Sequence, residues 1–110
     1  MSELVKRRCK PCEGGAKPMS PEKAREMLAE VPGWSLAEDA KSISRESILK
    51  DFVGALEFVN QVGDLAEFDD HHPDIHISYN RVRLELSTHA IKGLSENDFI
   101  LAAKINTLPV

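Results

Sequence analysis

Between Ile75 and Leu86 the chain alternates apolar and polar residues twice. Ile75, Ile77 and Tyr79 are interleaved with His76 and Ser78; after Asn80-Arg81, Val82, Leu84 and Leu86 are interleaved with Arg83 and Glu85. A period of two sends successive side chains to opposite faces of a strand, so two such runs separated by two residues predict a β-hairpin. Asn80 suits the positive φ of its turn, while Arg81 in second place fits less well than glycine. Directly joined antiparallel strands, rather than βαβ crossovers, point to an antiparallel sheet with its helices gathered on one face, an α+β two-layer sandwich.

The rest of the chain supplies the other pieces. Ser20-Pro21-Glu22 offers an N-cap, a proline at the first helical position and an acid in the first turn. Ala24, Met27, Leu28 and Val31 follow at helical spacing until Pro32-Gly33 stops them. Trp34 and Leu36 alternate as a short strand, Glu38-Asp39-Ala40 turns, and Lys41 to Glu46 returns with Ile43 as its core residue. Asp51 to Glu67 is the longest helical pattern, with Phe52, Leu56, Val59, Val62 and Ala66 as the expected buried stripe. It is expected to end near Phe68, because Pro73 disfavours helical geometry at His72. Ser95 and Asp98 resemble a capping box before a last helix, and from Phe99 to Leu108 apolar positions cover much of its circumference. Such a helix is expected to meet a second subunit. The order is α-β-β-α-β-β-α, with four strands in one antiparallel sheet.

Composition narrows the classes. A chain of 110 residues allows one domain, and a domain of that size buries only about two-thirds of its unfolded surface, which makes oligomerisation worth expecting. The net charge of −4 is uneven: residues 1–19 carry five basic and two acidic side chains, and the remainder nine basic and sixteen acidic. Residues 1–19 are therefore read as a flexible basic tail and 20–110 as the folded domain. The acidic body is a poor electrostatic match for nucleic acid. No apolar run reaches the length of a membrane span, and no apolar stretch follows the basic N-terminus as in a secretory signal, so a cytoplasmic protein is expected. Cys9 and Cys12 form Cys-Lys-Pro-Cys in the tail, without the second pair that a zinc site needs and without a preceding strand as in thioredoxin-type motifs. They are read as free thiols, or as an adventitious disulfide or metal pair.

Three histidines fall at structural breaks. His71 and His72 precede the first hairpin strand, and His89 follows the second, so the hairpin brings all three to its open end. Imidazoles titrate near neutrality, so neighbouring rings can hold one proton donor and one acceptor. That suits a reaction in which one atom loses a proton while a leaving group gains one. Glu67, Asp69 and Asp70 are placed to orient or charge-balance them. Two or three histidines with a carboxylate would also suit zinc or iron, but His72 and His76 flank Pro73 in extended chain and are not a helical i, i+4 pair. His76 is out of phase with the apolar hairpin face and is read as exposed or at an interface.

These residues carry a resemblance. Glu67, His71-His72-Pro73, Tyr79, His89 and Asp98, at these intervals, look like the signature of the pterin-4a-carbinolamine dehydratases. The similarity runs from about Ser20 to Leu108 and includes Pro32-Gly33-Trp34, Tyr79-Asn80, Leu86-Ser87-Thr88-His89 and Gly93-Leu94-Ser95-Glu96. It implies two β-β-α units behind a leading helix, assembled as homodimers or homotetramers. It also implies dehydration of a 4a-hydroxytetrahydropterin to quinonoid dihydropterin and water, recycling the pterin after an aromatic amino acid hydroxylase, with no cofactor or metal.

On this resemblance His71, His72 and His89 are the catalytic residues, one as base and one as acid, with His89 the favoured acid. Asp70-His71-His72 and Ser87-Thr88-His89 are implied to contact the pterin, and Glu67 to steady the histidine loop. Asp98 belongs to the signature, although its distance from Ser95 reads better as helix capping. Trp34 is either a pocket wall or a core residue. Ile75 departs from the family, which often has an aromatic residue there. Some relatives are non-catalytic binding or assembly factors, including one that stabilises dimers of a homeodomain transcription factor; they often lose signature histidines, and this chain keeps all three.

Overall fold

The computed structural model describes residues 3–7, 9 and 17–109. Its elements run in the expected order: α1 (Pro21–Leu28), β1 (Ser35–Leu36), β2 (Ile43–Ile48), α2 (Phe52–Asp69), β3 (Asp74–Ser78), β4 (Arg81–Leu86) and α3 (Glu96–Ile105), with single 3-10 turns at Glu3–Lys6 and His89–Ile91. The strands form one sheet in the order β1-β2-β4-β3, every neighbouring pair antiparallel. Ser20 caps α1 by accepting from the Lys23 N–H, with Pro21 opening the helix.

Register explains the two faces of the sheet. Ile43, Arg45 and Ser47 stand opposite Leu86, Leu84 and Val82, and Ile75 and Ile77 stand opposite Leu84 and Val82. This row faces the helices, and its members Ile43, Val82, Leu84 and Leu86 are fully buried. The alternate row, including Glu46, His76, Ser78, Arg81 and Arg83, faces solvent. Ser78 pairs with Arg81, so the turn is Tyr79-Asn80, one residue earlier than the alternation suggested, and the positive φ falls on Tyr79. Asn80 is engaged elsewhere: its Nδ2 donates to the Leu49 carbonyl, and its own carbonyl accepts from the Leu49 N–H.

Three expectations are corrected. In α2 the buried face is Ala55, Phe58, Val62 and Ala66; Phe52 and Leu56 from the expected stripe are exposed. Both faces of the first turns of this helix are apolar, so spacing alone does not select the inner one, and Ala55 and Phe58 rather than Phe52 and Leu56 join Val62 and Ala66 in the core. Secondly, α3 does not keep an open apolar side. Asn97 to Ile105 are all buried within the chain. Thirdly, part of the segment read as a flexible tail packs on that helix: Leu4 is in the core, and Arg7 pairs with Glu96 at 2.5 Å. Burial of Leu4 offsets the ordering of its neighbours. Cys12, with Arg8, Lys10 and residues 11–16, lies outside the described residues.

Trp34 is a core residue. It is buried, and its Nε1–H donates to Asn106 Oδ1 at 2.9 Å. The Arg45 guanidinium donates to the same oxygen at 2.6 Å, and burial lowers its pKa from the ordinary arginine value. Asn106 Nδ2 donates to the Pro32 carbonyl, so the end of α3 fixes the entry to β1.

Candidate active site

The open end of the β3–β4 hairpin begins beyond the Asp74–Glu85 pair, and the segments 71–73 and 87–89 leave the sheet there. How each arrives depends on a local device. Asp70 adopts the left-handed conformation (φ 51°) and its N–H bonds the carbonyls of Ala66 and Glu67, which ends α2 before proline is reached. Aspartate is among the few residues that visit this region readily. The His71 N–H then bonds the Ala66 carbonyl, so the turn carries His71 off the helix in a fixed direction.

On the other side, Thr88 and Gly93 close a loop by mutual backbone hydrogen bonds around the 3-10 turn that carries His89. Position 93 requires glycine because a Cβ there would stand 2.5 Å from Cβ of Pro18. The loop delivers the chain to Ser95, the N-cap of α3. Ser95 Oγ accepts from the Asn97 N–H at 3.2 Å, and Asp98 Oδ2 accepts from the Ser95 N–H at 3.0 Å, completing a capping box with the shorter acid.

Asp98 does more than cap. Its side chain is fully buried; Oδ2 also accepts from Thr88 Oγ1 at 2.9 Å, and Oδ1 lies 2.6 Å from His71 Nε2. Thr88 spends its only hydroxyl proton on Asp98, so the 2.7 Å contact between Thr88 Oγ1 and Ser95 Oγ is donated by Ser95. One carboxylate therefore ties together the end of α2, the exit from β4 and the start of α3. The capping expected of Asp98 is made through Oδ2, and its other oxygen, Oδ1, meets His71.

The candidate site residues differ sharply in exposure. His71 is nearly buried, whereas His72 is exposed and paired through Nε2 to Glu67 Oε2 at 2.5 Å, also at the surface. His89 and Asp70 are exposed, Ser87 is half-buried and Thr88 is buried. Ile75 is half-buried against the core on the helix-facing row, away from any stacking surface on the solvent side. His76 lines a shallow depression on the solvent face of the sheet with Glu46, Ser78, Arg81 and Arg83. Among the described residues, no three of His, Cys, Asp and Glu gather as metal ligands would.

Sequence reasoning missed Ser95 as a partner of Thr88. It also missed a buried ion pair, Asp69 Oδ2 to Lys104 Nζ at 2.6 Å, next to the histidine loop. Its one visible signal was Lys104 itself, a lone charge inside Phe99 to Ile105.

Comparison with known proteins finds relatives across nearly the whole chain. Residues 17–108 match the sequence profile of the family described as pterin 4 alpha carbinolamine dehydratase. A relative from Halorhodospira halophila, named for the same dehydratase, is 49% identical over 105 residues, covering 96% of each chain. Pterin-4-alpha-carbinolamine dehydratase 2, mitochondrial, of Arabidopsis thaliana is 43% identical across the whole chain, which spans 61% of that longer protein. A crystal structure from Brucella melitensis, described as a transcriptional coactivator/pterin dehydratase, superimposes with a TM-score of 0.78 at 34% identity, covering 83% of this chain and 97% of that one.

Proposed function

The chain belongs to the pterin-4-alpha-carbinolamine dehydratases, a family of hydro-lyases, and on that premise we propose that it dehydrates a 4a-hydroxytetrahydropterin by imidazole acid–base catalysis at the open end of the β3–β4 hairpin. The buried contact of Asp98 with His71 carries this reading. Loss of water breaks the C4a–O bond, forms a C4a–N5 double bond, takes the proton from N5 and delivers one to the departing hydroxyl. With Asp98 as acceptor, His71 carries a proton on Nε2, and in its neutral form the lone pair is then on Nδ1, as a base requires. The carboxylate then stabilises the imidazolium formed when N5 gives up its proton, as in other His–carboxylate pairs. His89, exposed on the neighbouring loop, is the acid, and His72, steadied by Glu67, positions the ring. Asp70 and Ser87 supply polar backbone and side-chain groups for the amide and guanidine-like edge of a pterin. Thr88 was expected to contact the pterin as well, but it is buried with its backbone groups bonded to Gly93 and its hydroxyl to Asp98 and Ser95, so its part is to hold the loop that carries His89.

The test is a coupled assay with chemically generated 4a-hydroxytetrahydropterin. His71→Ala, His72→Ala and His89→Ala are each expected to lower the dehydration rate, by about 100-fold or more for the acid and the base. Wild-type rates in all three variants would end this assignment. Activity that survives a chelator supports metal-free catalysis, and activity abolished by it revives a metalloenzyme.

A binding role on the same fold is a second reading, favoured by the description of the Brucella neighbour and by the exposed apolar residues Ile48, Phe52, Val53 and Leu56. The proposed partner for this patch is a second copy of the chain, in a homo-oligomer. A protein that captures partners while the three histidine variants lose nothing would favour binding over catalysis.

A further inference from the structure

We propose that the Asp69–Lys104 ion pair is a positioning device that locks the end of α2 to α3 and so sets His71 against Asp98. The catalytic part of this inference rests on the function proposed above; the structural part does not. Asp69 is the last residue of α2 and stands two residues before His71; Lys104 is on α3, six residues after Asp98. The Asp69 side chain is fully buried and that of Lys104 is 11% exposed, with the Phe68 ring 5.5 Å from the ammonium.

The connection from each partner to the site is stiff. From Asp69 the chain passes through the left-handed Asp70 to His71, with both N–H groups bonded back to the last turn of α2. From Lys104 to Asp98 the path is continuous helix. The pair at one level and the His71–Asp98 contact at the next therefore clamp the same two helices. A third tie crosses the same gap: the Cys9 N–H donates to Asp69 Oδ1 at 3.3 Å, and Cys9 Sγ donates to the Asn97 carbonyl at 3.4 Å.

Energetics favour a positioning role over a stabilising one. Taking two charges out of water costs about as much as their attraction returns, so an apolar pair of similar volume commonly stabilises as well or better. Apolar packing, however, fixes distance without direction, whereas a hydrogen-bonded ion pair allows one alignment. The alignment at stake is a 2.6 Å contact to an imidazole, and small misplacements of catalytic groups are costly.

The double substitution Asp69→Leu with Lys104→Met separates the two roles, because it replaces the pair by packing. We expect it to melt cooperatively near the wild-type temperature. Its kcat for dehydration is expected to fall by about tenfold with KM changed less than about threefold. In NMR spectra the His71 ring resonances move while those of His76 do not. Lys104→Arg, which keeps the pair, retains wild-type kcat and His71 resonances. Should the double variant fail to fold, Asp69→Asn is read in the same way. Wild-type kcat together with unmoved His71 resonances in a folded variant overturns the proposal. If the wild-type chain shows no dehydration, the functional reading fails, and the His71 resonances still decide whether the pair positions the ring.

Discussion

Asp98 ties three elements of this protein together through one side chain. It satisfies a helix N-terminus, orders a threonine hydroxyl and orients an imidazole, all without exposure to water. Asp98→Asn keeps the shape but offers only one acceptor oxygen, so either the cap or His71 loses its partner. The expected result is a loss of about 1–3 kcal/mol in stability, read by urea unfolding, together with a fall of tenfold or more in dehydration. Unchanged activity would remove His71 orientation from the mechanism. At the same scale, exposed Lys92 holds a left-handed conformation (φ 55°) where its loop turns toward α3. Lys92→Gly relieves that strain, and after the entropy cost of glycine should stabilise the fold by about 0.5 kcal/mol in thermal melts. Asp98 was visible in the sequence as a signature position and a capping residue, but its contact with His71 was not, because sequence spacing reports neighbours along a helix and not the histidine that folds against it from 27 positions away.

At the scale of elements, caps and alternation were reliable guides and faces were not. Ser20, Pro21 and the Ser95–Asp98 box stand where their chemistry requires. The inner face of α2 was misread in its first turns, because Phe52, Val53 and Leu56 are as apolar as the side that packs on the sheet, whereas Val62 and Ala66 are buried as expected. The apolar circumference of α3 was visible, but its cover comes from its own chain, through Leu4 and the segment around it. Asn106 gives this level a direct test. Asn106→Ala removes the acceptor of Trp34 and Arg45 and the donor to Pro32. Leaving a buried indole N–H unpaired should cost about 2–3 kcal/mol. The urea midpoint should fall while the denaturant slope stays constant.

For the whole molecule, the ends of the sequence and the outer face of α2 matter most. Leu4 buries its side chain beside α3, so a chain beginning at residue 17 should be less stable by about 2 kcal/mol. An unchanged melting temperature would show that residues 3–9 add nothing to the core. Ile48 at the end of β2 and Phe52, Val53 and Leu56 in the first turns of α2 are exposed apolar residues close in sequence, and apolar surface of this kind is commonly covered by a partner. On the proposed self-association through this surface, Val53→Glu combined with Leu56→Glu should leave the fold intact and give a smaller species than wild type in sedimentation equilibrium. A wild-type chain that already sediments as a monomer would refute that interface.

The antiparallel hairpin, the order of helices and strands, and the placing of His71, His72 and His89 at one end of the sheet were written in the sequence itself. Each follows from local periodicity, capping chemistry and the short reach of a two-residue turn. Which face of α2 turned inward, what covered α3, and how Asp98, Thr88 and Lys104 found their partners were decided only in the folded molecule. Those choices depend on contacts between residues distant in the chain, where volume and the need to pair buried polar groups select among alternatives that local pattern leaves equal.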